Sequence, residues 1–257
     1  MSYDKMIAEL VGGGELSESS ELMLIQRLEQ HYNSKIYREW MISKEKPHFS
    51  DHRSGMFKFA CSDACPTSYG LSRAFFSAEV IRQGDKLLDI GCGDGFITRR
   101  FLAERCAHVD AVDIEPTAIR AAMIYNKASN IAYHLLNAVS QPFPGNDYNV
   151  VVWDGAIGHF SSDTTNVMLR KIRHALVSDG IFVGSESLGT QEGHDHLQFF
   201  NSSEDLKVIF ECYFKYIEMK IVAYPICNGA IIRQEAMWRC SDNLQRLQES
   251  HWKRFYK

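Results

Sequence analysis

Three glycines at alternate positions, Gly91, Gly93 and Gly95, stand directly after the apolar run Leu87-Leu-Asp-Ile90. An acid, Asp113, follows 18 residues beyond the last of them. Glycine is needed where a chain must turn with φ > 0 or let a ligand lie against its backbone. Asp113 closes a second apolar run, His108-Val-Asp-Ala-Val-Asp113, where a carboxylate is placed to accept hydrogen bonds from both hydroxyls of a ribose. A strand, a glycine turn, a helix N-terminus and an acid at the next strand end together build a site at the carboxyl edge of an α/β sheet. These residues ask for a ligand that carries a nucleoside.

Spacing decides which nucleoside ligand. The dinucleotide fingerprint needs G-x-G-x-x-G, with the pyrophosphate on the helix N-terminus. Here the third glycine comes one residue early and Phe96 stands where the dinucleotide glycine belongs. The pattern is instead Asp-x-Gly-x-Gly-x-Gly, Asp89 to Gly95, which resembles motif I of the class I S-adenosylmethionine (AdoMet)-dependent methyltransferases. Asp113 matches that family's ribose-binding acid. The resemblance implies a cofactor site drawn from Asp89, Gly91, Cys92, Gly93, Gly95, Phe96, Asp113, Ile114, Asn137, Ala138, Asp154 and Gly155. It also implies AdoMet as cofactor and S-adenosylhomocysteine as product. Within it, Asn137 would meet the adenine amino group and the amide of Ala138 a ring nitrogen. A strand-end turn is the plainer role for such an asparagine. Phe143, in the turn-rich loop that follows, is placed to pack on the adenine.

A second group of chemically capable residues follows the apolar run Tyr148-Asn-Val-Val-Val-Trp153. It reads Asp154-Gly-Ala-Ile-Gly-His159-Phe160 and resembles the family's motif IV, where the chain passes under the transferable methyl. A near-neutral pKa makes histidine the natural acceptor of a hydroxyl or ammonium proton, so His159 is the candidate catalytic residue. A cap on the helix that begins near Ser161-Ser162-Asp163 is the alternative. Glu186 is either an acceptor-binding acid or a solvated acid at a strand end. The loop 189–196 carries Glu192, His194, Asp195 and His196. His194-x-His196 invites a metal reading, but third and fourth ligands are missing, so it is read as a substrate-side loop with no metal site. Arg53 and Tyr69, with Glu186, His194 and His196, complete the candidate acceptor contacts.

The elements that must position these groups follow from periodicity. Leu22, Ile25, Leu28 and Tyr32 share one helical face. An aromatic-rich piece from Tyr37 to Tyr69 is broken by Pro47 and Pro66. Helices are predicted over 70–82 and 96–105, and from Pro116 with Ile119, Ala122 and Met123 inward. Further helices are predicted over 166–177 and, after a capping signature at Asn201-Ser-Ser-Glu204, over 206–214. Strands are predicted at 87–90, 108–113, 131–136, 148–153 and 181–184, then 217–224 and 230–238 as an antiparallel pair. The resemblance covers about residues 85–240. It implies an α/β fold: a Rossmann-like, seven-stranded, mostly parallel sheet with a C-terminal antiparallel strand pair and an N-terminal helical cover. The expected division is a cover over 1–80, the AdoMet-binding domain over 81–240 and a tail over 241–257, a surface helix or partly disordered.

Bulk properties suit an ordinary soluble enzyme. The 257 residues are 45% hydrophobic and 23% charged, enough for one α/β domain with an extension. A net charge of −4 gives no electrostatic footprint for nucleic acid. Seven cysteines, an odd number, with no secretory or membrane-spanning run, favour free thiols in the cytoplasm. Cys61 and Cys65 lack a second ligand pair at zinc spacing. The expected function is methyl transfer to an oxygen or nitrogen of a small polar molecule. The alternatives are a methyltransferase acting on a protein or tRNA, and a non-catalytic AdoMet-binding protein. Asp154-Gly-Ala-Ile argues against the macromolecular enzymes, because those acting on amino groups often carry Asn/Asp-Pro-Pro-aromatic at that place. Oligomeric state is not legible.

Overall fold

The computed structural model describes residues 67–189, 196–226 and 231–248, with the side chains of 67–71, 224–226 and 231 excepted. The expected helix over 21–32, Arg53, the Cys61/Cys65 pair and His194 lie outside the described residues, as does the side chain of Tyr69.

Strand β1 (Lys86–Ile90) is buried from Leu87 to Ile90, as a strand covered on both faces must be. It pairs in parallel with β2 (His108–Asp113) on one side and β4 (Tyr148–Trp153) on the other. Outward from β2 lies β3 (Ile131–Leu135), and outward from β4 lies β5 (Leu176–Leu188). The chain then places β6 (Tyr216–Ile226) at the edge and inserts β7 (Ile231–Ser241) antiparallel between β5 and β6. The order is β3-β2-β1-β4-β5-β7-β6. Six strands point one way and β7 the other, as expected from the sequence.

Alternating side chains supply two cores. On one face Leu87, Val109, Val150 and Ile181 meet α1 (Thr67–Ala78), the π-helical turn Thr98–Leu102 and α2 (Pro116–Tyr125). On the other face Leu88, Val151, Phe182 and Trp238 meet α3 (Ser162–Ala175) and α4 (Ser203–Glu211). Burying this much apolar area on both faces is the main stabilising term, at roughly 25 cal/mol per Å². Caps set the helix starts: Glu115 accepts from the Thr117 amide ahead of Pro116, and Ser161 accepts from the Thr164 amide.

Four details differ from the sequence reading. The expected helix 96–105 ends at Leu102 and is mostly π-helical, with the Ala103 amide donating to the Thr98 carbonyl at 2.8 Å. Met123 is exposed while Ala118, Ile119, Ala121 and Ala122 are buried. Strand β5 begins at Leu176 rather than at 181, with a register shift against β4 between Tyr148 and Val150. The tail beyond Asp242 includes α5 (Leu244–Gln248), whose Arg246 and Leu247 are buried. Arg246 pairs with Asp85 at 2.8 Å, so this helix belongs to the core and not to the surface.

Candidate active site

Parallel strands bring the C-terminal ends of β1 to β5 to one edge, and backbone bonds stitch those ends together. The Gly91 and Cys92 amides donate to the Val112 carbonyl, the Leu136 amide to Asp113, and the Gly155 amide to Ser185. Gly91, Gly93 and Gly95 all have positive φ, at +77°, +56° and +72°. Among the described residues a Cβ on Gly91 would meet nothing within 4 Å, so the backbone there lies open with respect to them. A Cβ on Gly95 would lie 2.4 Å from the Tyr133 hydroxyl oxygen. The first glycine therefore presents the edge, and the third closes the loop against the sheet.

Asp113 is fixed by two backbone amides. Gly93 donates to Oδ2 at 2.8 Å and Glu115 to Oδ1 at 2.9 Å. Burial pushes its carboxyl pKa up, and these two amide bonds pull against that shift. Each oxygen has further acceptor capacity for a hydroxyl. Ile114 beside it is 58% exposed at the same edge. An anchored acid, an apolar neighbour and an open glycine fit a nucleoside. The other motif residues brace the loop from behind. Asp89 is buried and accepts from the Thr98 hydroxyl at 2.6 Å. Cys92 is buried in the first core, and burial pushes its thiol pKa well up. Phe96 stacks edge-on with Phe101.

After β3, Asn137 forms a turn, its Oδ1 accepting from the Val139 and Ser140 amides at 3.0 and 3.3 Å. Lys171 of α3 donates to the carbonyls of Ala138, Val139 and Gln141 and lies over the Phe143 ring. Phe143 thus packs on a lysine and on the second core.

After β4, Asp154 Oδ2 accepts from Arg73 Nε and Nη2 at 2.8 and 2.7 Å, and Oδ1 accepts from the Ser185 hydroxyl at 2.5 Å. A 3₁₀ turn, Ile157–His159, then carries His159, whose ring meets that of His196 edge-to-face with centroids 4.4 Å apart. Glu186 is 2% exposed, and its oxygens accept from the Gly158 and Ser187 amides and the Ser187 hydroxyl. It is therefore not a solvated strand-end acid: it holds the post-β4 loop to β5. His196 seats on the same loop, where a Cβ on Gly158 would come 2.7 Å from its Nδ1, while the Leu197 and Gln198 amides donate to the Gly158 carbonyl. Among the described residues no group of three or more His, Cys, Asp or Glu could hold a metal ion.

Residues 87–180 match the family model of a methyltransferase domain. The matched segment runs from β1 into β5, and the sheet that contains it has a Rossmann-like α/β fold. Solved structures share its fold. YcgJ from Bacillus subtilis superposes with a TM-score of 0.54 at 16% identity, over 68% of this chain and 98% of its own. The N-methyltransferase NodS from Bradyrhizobium japonicum, solved with S-adenosylhomocysteine, gives 0.50 at 17% identity, over 67% and 84%. The [4+2]-cyclase SpnF gives 0.51 at 13% identity, over 65% and 80%. No curated protein sequence matches this chain.

Several residues of this sheet edge carry little readily legible signal in the sequence. Arg73 is the one charged residue of α1, an available signal. Ser185 stands beside Glu186 on β5. Glu235 is fully buried, with Oε1 2.9 Å from the Ser185 hydroxyl oxygen and Oε2 3.2 Å from Arg233 Nε. Burial pushes its carboxyl pKa up, against the pull of Arg73 and Arg233. Lys171 gives no signal on an amphipathic helix.

Proposed function

We propose that the protein is an AdoMet-dependent methyltransferase acting on an oxygen or nitrogen of a small polar molecule in the cytoplasm. The observation that carries the reading is the coincidence, at one sheet edge, of open Gly91, amide-anchored Asp113 and the His159–His196 pair. In this reading Gly91, Gly93, Asp113 and Ile114 hold the nucleoside, and the post-β4 turn faces the acceptor. When bound, the cofactor supplies a methyl group activated on a sulfonium.

The chain contributes position, exclusion of water and a place for a proton. Holding the reactants in contact is worth about 7–11 kcal/mol at best. His159 accepts the proton of a hydroxyl or ammonium acceptor, or orients the acceptor; such a base adds roughly 10²–10⁴-fold. His196 fixes the His159 ring from the loop after β5. Acceptor choice lies in the segment before residue 80 and in the loops after β4 and β5. The net charge of −4 supports a small acceptor over a nucleic acid. The free thiols of Cys92, Cys106, Cys212 and Cys240 support a reducing compartment.

Isothermal titration with AdoMet and S-adenosylhomocysteine tests the cofactor half. Micromolar binding to the wild type that collapses in Asp113→Ala is expected, and binding of NAD in place of AdoMet would refute it. The catalytic half is tested by His159→Ala, which should keep cofactor affinity and lose about 10²–10⁴-fold in kcat. Unchanged turnover removes His159 from catalysis. One comparison favours a second reading, in which the fold serves without methyl transfer: SpnF shares it and is a cyclase. Release of S-adenosylhomocysteine with any acceptor would eliminate that reading.

A further inference from the structure

Strand β6 ends the strand order, so among the described residues its outer edge pairs with no other strand. Such an edge presents unpaired amides and carbonyls, a template on which a further strand can add. None of the side chains from Tyr216 to Val222 is fully buried, and Ile221 is 52% exposed. A groove of about 960 Å³ opens at the start of this edge, with Glu211, Lys215, Tyr216, Ile217 and Glu218 in its lining.

Charge ordinarily keeps such edges apart, but β6 carries two charges of opposite sign, Glu218 and Lys220. Both are exposed, and among the described residues no hydrogen bond or ion pair engages either of them. The register against β7 fixes their side of the sheet. Glu218 pairs with Arg239 and Lys220 with Met237, so both lie on the face of the first core. Ile217 and Ile221, the latter opposite Ala236, lie on the face of the second.

A spacing of two makes this strand self-complementary. When a two-fold axis normal to the sheet passes through Met219, Glu218 of each copy stands opposite Lys220 of the other. Tyr216 then stands opposite Val222 on the same face, and Ile217 opposite Ile221 on the other. Opposite charges and apolar pairs directly across a ladder stabilise it, and like charges destabilise it. An axis through Glu218 or Lys220 would set like charges face to face, so the neighbouring registers are disfavoured. Pro225 has no N–H to donate and lies beyond the paired stretch 216–222.

We propose that two copies of this chain associate through β6, antiparallel about Met219, joining their sheets into one. The contact is isologous, so each copy consumes the other's edge and the pairing closes instead of propagating. It does not depend on the AdoMet reading above.

The test is the mass of the full-length protein by sedimentation velocity, over about 1 to 200 µM chain. The wild type should be dimeric at the upper end. Glu218→Lys alone and Lys220→Glu alone each set like charges across both contacts, and each should weaken the dimer by about tenfold or more. An equimolar mixture of the two variants restores opposite charges at both contacts and should dimerise within about threefold of the wild type. A wild type that stays monomeric throughout overturns the proposal. So does a dimer that neither single variant weakens, or one that the mixture fails to restore. Met219→Cys gives a readout that does not need the charge variants to fold. At the axis the two Cα atoms would lie about 4.5–5.5 Å apart, within disulfide reach. Oxidised glutathione should therefore link this variant into dimers well above the background set by the seven native cysteines. No increase over that background overturns the proposal.

Discussion

Gly91 and Gly95 share a left-handed backbone, yet a side chain would harm each for a different reason. At Gly95 the strained φ, worth about 1–2 kcal/mol, adds to a Cβ 2.4 Å from the Tyr133 hydroxyl oxygen. Gly95→Ala should therefore cost about 2–5 kcal/mol in urea denaturation, the overpacking supplying the rest. At Gly91 the methyl meets none of the described residues, so Gly91→Ala should cost only about 1–2 kcal/mol in stability. Its larger effect should be on cofactor affinity, which titration would show falling by about tenfold or more.

Asp110 gives a residue-scale prediction in pH. It is buried on the second face of the sheet, which pushes its carboxyl pKa up. Hydrogen bonds with His108 and His134, at 3.1 and 3.0 Å, and from Tyr148, at 2.9 Å, outweigh burial and lower it below 3.8. A carboxyl whose folded pKa is depressed lends stability that is fully present above the unfolded value. That stability is lost as pH falls through the folded value. Unfolding free energy should thus drop more steeply below about pH 4 in the wild type than in Asp110→Asn, as urea titrations at pH 5 and pH 3 would measure. Equal slopes would show that the imidazoles and the phenol do not govern this carboxylate.

At the scale of elements, the loop after β3 is held by one lysine. Lys171 donates to three carbonyls of the loop and covers Phe143, while burial lowers its ammonium pKa. Lys171→Met should cost about 1–2 kcal/mol and speed amide exchange at Val139 and Ser140, with α3 unaffected. Unchanged exchange there would mean that the Asn137 turn closes the loop alone. The sequence foretold this loop but not its clamp. Pro142, Pro144 and Gly145 announce a turn through their own backbone limits, whereas a lysine on a polar helix face carries no mark of what it will meet. The same reason explains the π-helical turn at Thr98–Leu102. Periodicity predicts a helix there, and the structure adds a bond from Thr98 to buried Asp89, across nine residues, that the helical pattern does not announce.

At the scale of the molecule, the antiparallel strand β7 closes both cores. Trp238 is fully buried between Phe182 and Phe210, with ring centroids 5.7 and 4.9 Å away. Trp238→Ala should cost about 3–5 kcal/mol, a large fraction of the stability of a domain this size, and should be read as a lower melting temperature with cofactor affinity intact. Loss of affinity beyond that expected from unfolding would couple β7 to the edge through Glu235. No described helix is long and apolar enough to cross a membrane.

What the sequence by itself determined is whatever depends on near neighbours. The buried strands, the glycine loop and the acid at the end of β2 were legible, because pleat, turn and φ are local constraints and this motif spans 25 residues from Asp89 to Asp113; the mostly parallel sheet with its antiparallel pair came from the family resemblance. What the tertiary structure alone decided is the pairing of charges across the sheet edge. Glu186, read as either an acceptor-binding acid or a solvated strand-end acid, lies inside and binds Gly158, and Arg73 finds Asp154 from 81 residues away. A charged side chain goes where a counter-charge or backbone donor compensates its lost water, and that partner is fixed by topology rather than by anything in the adjoining residues.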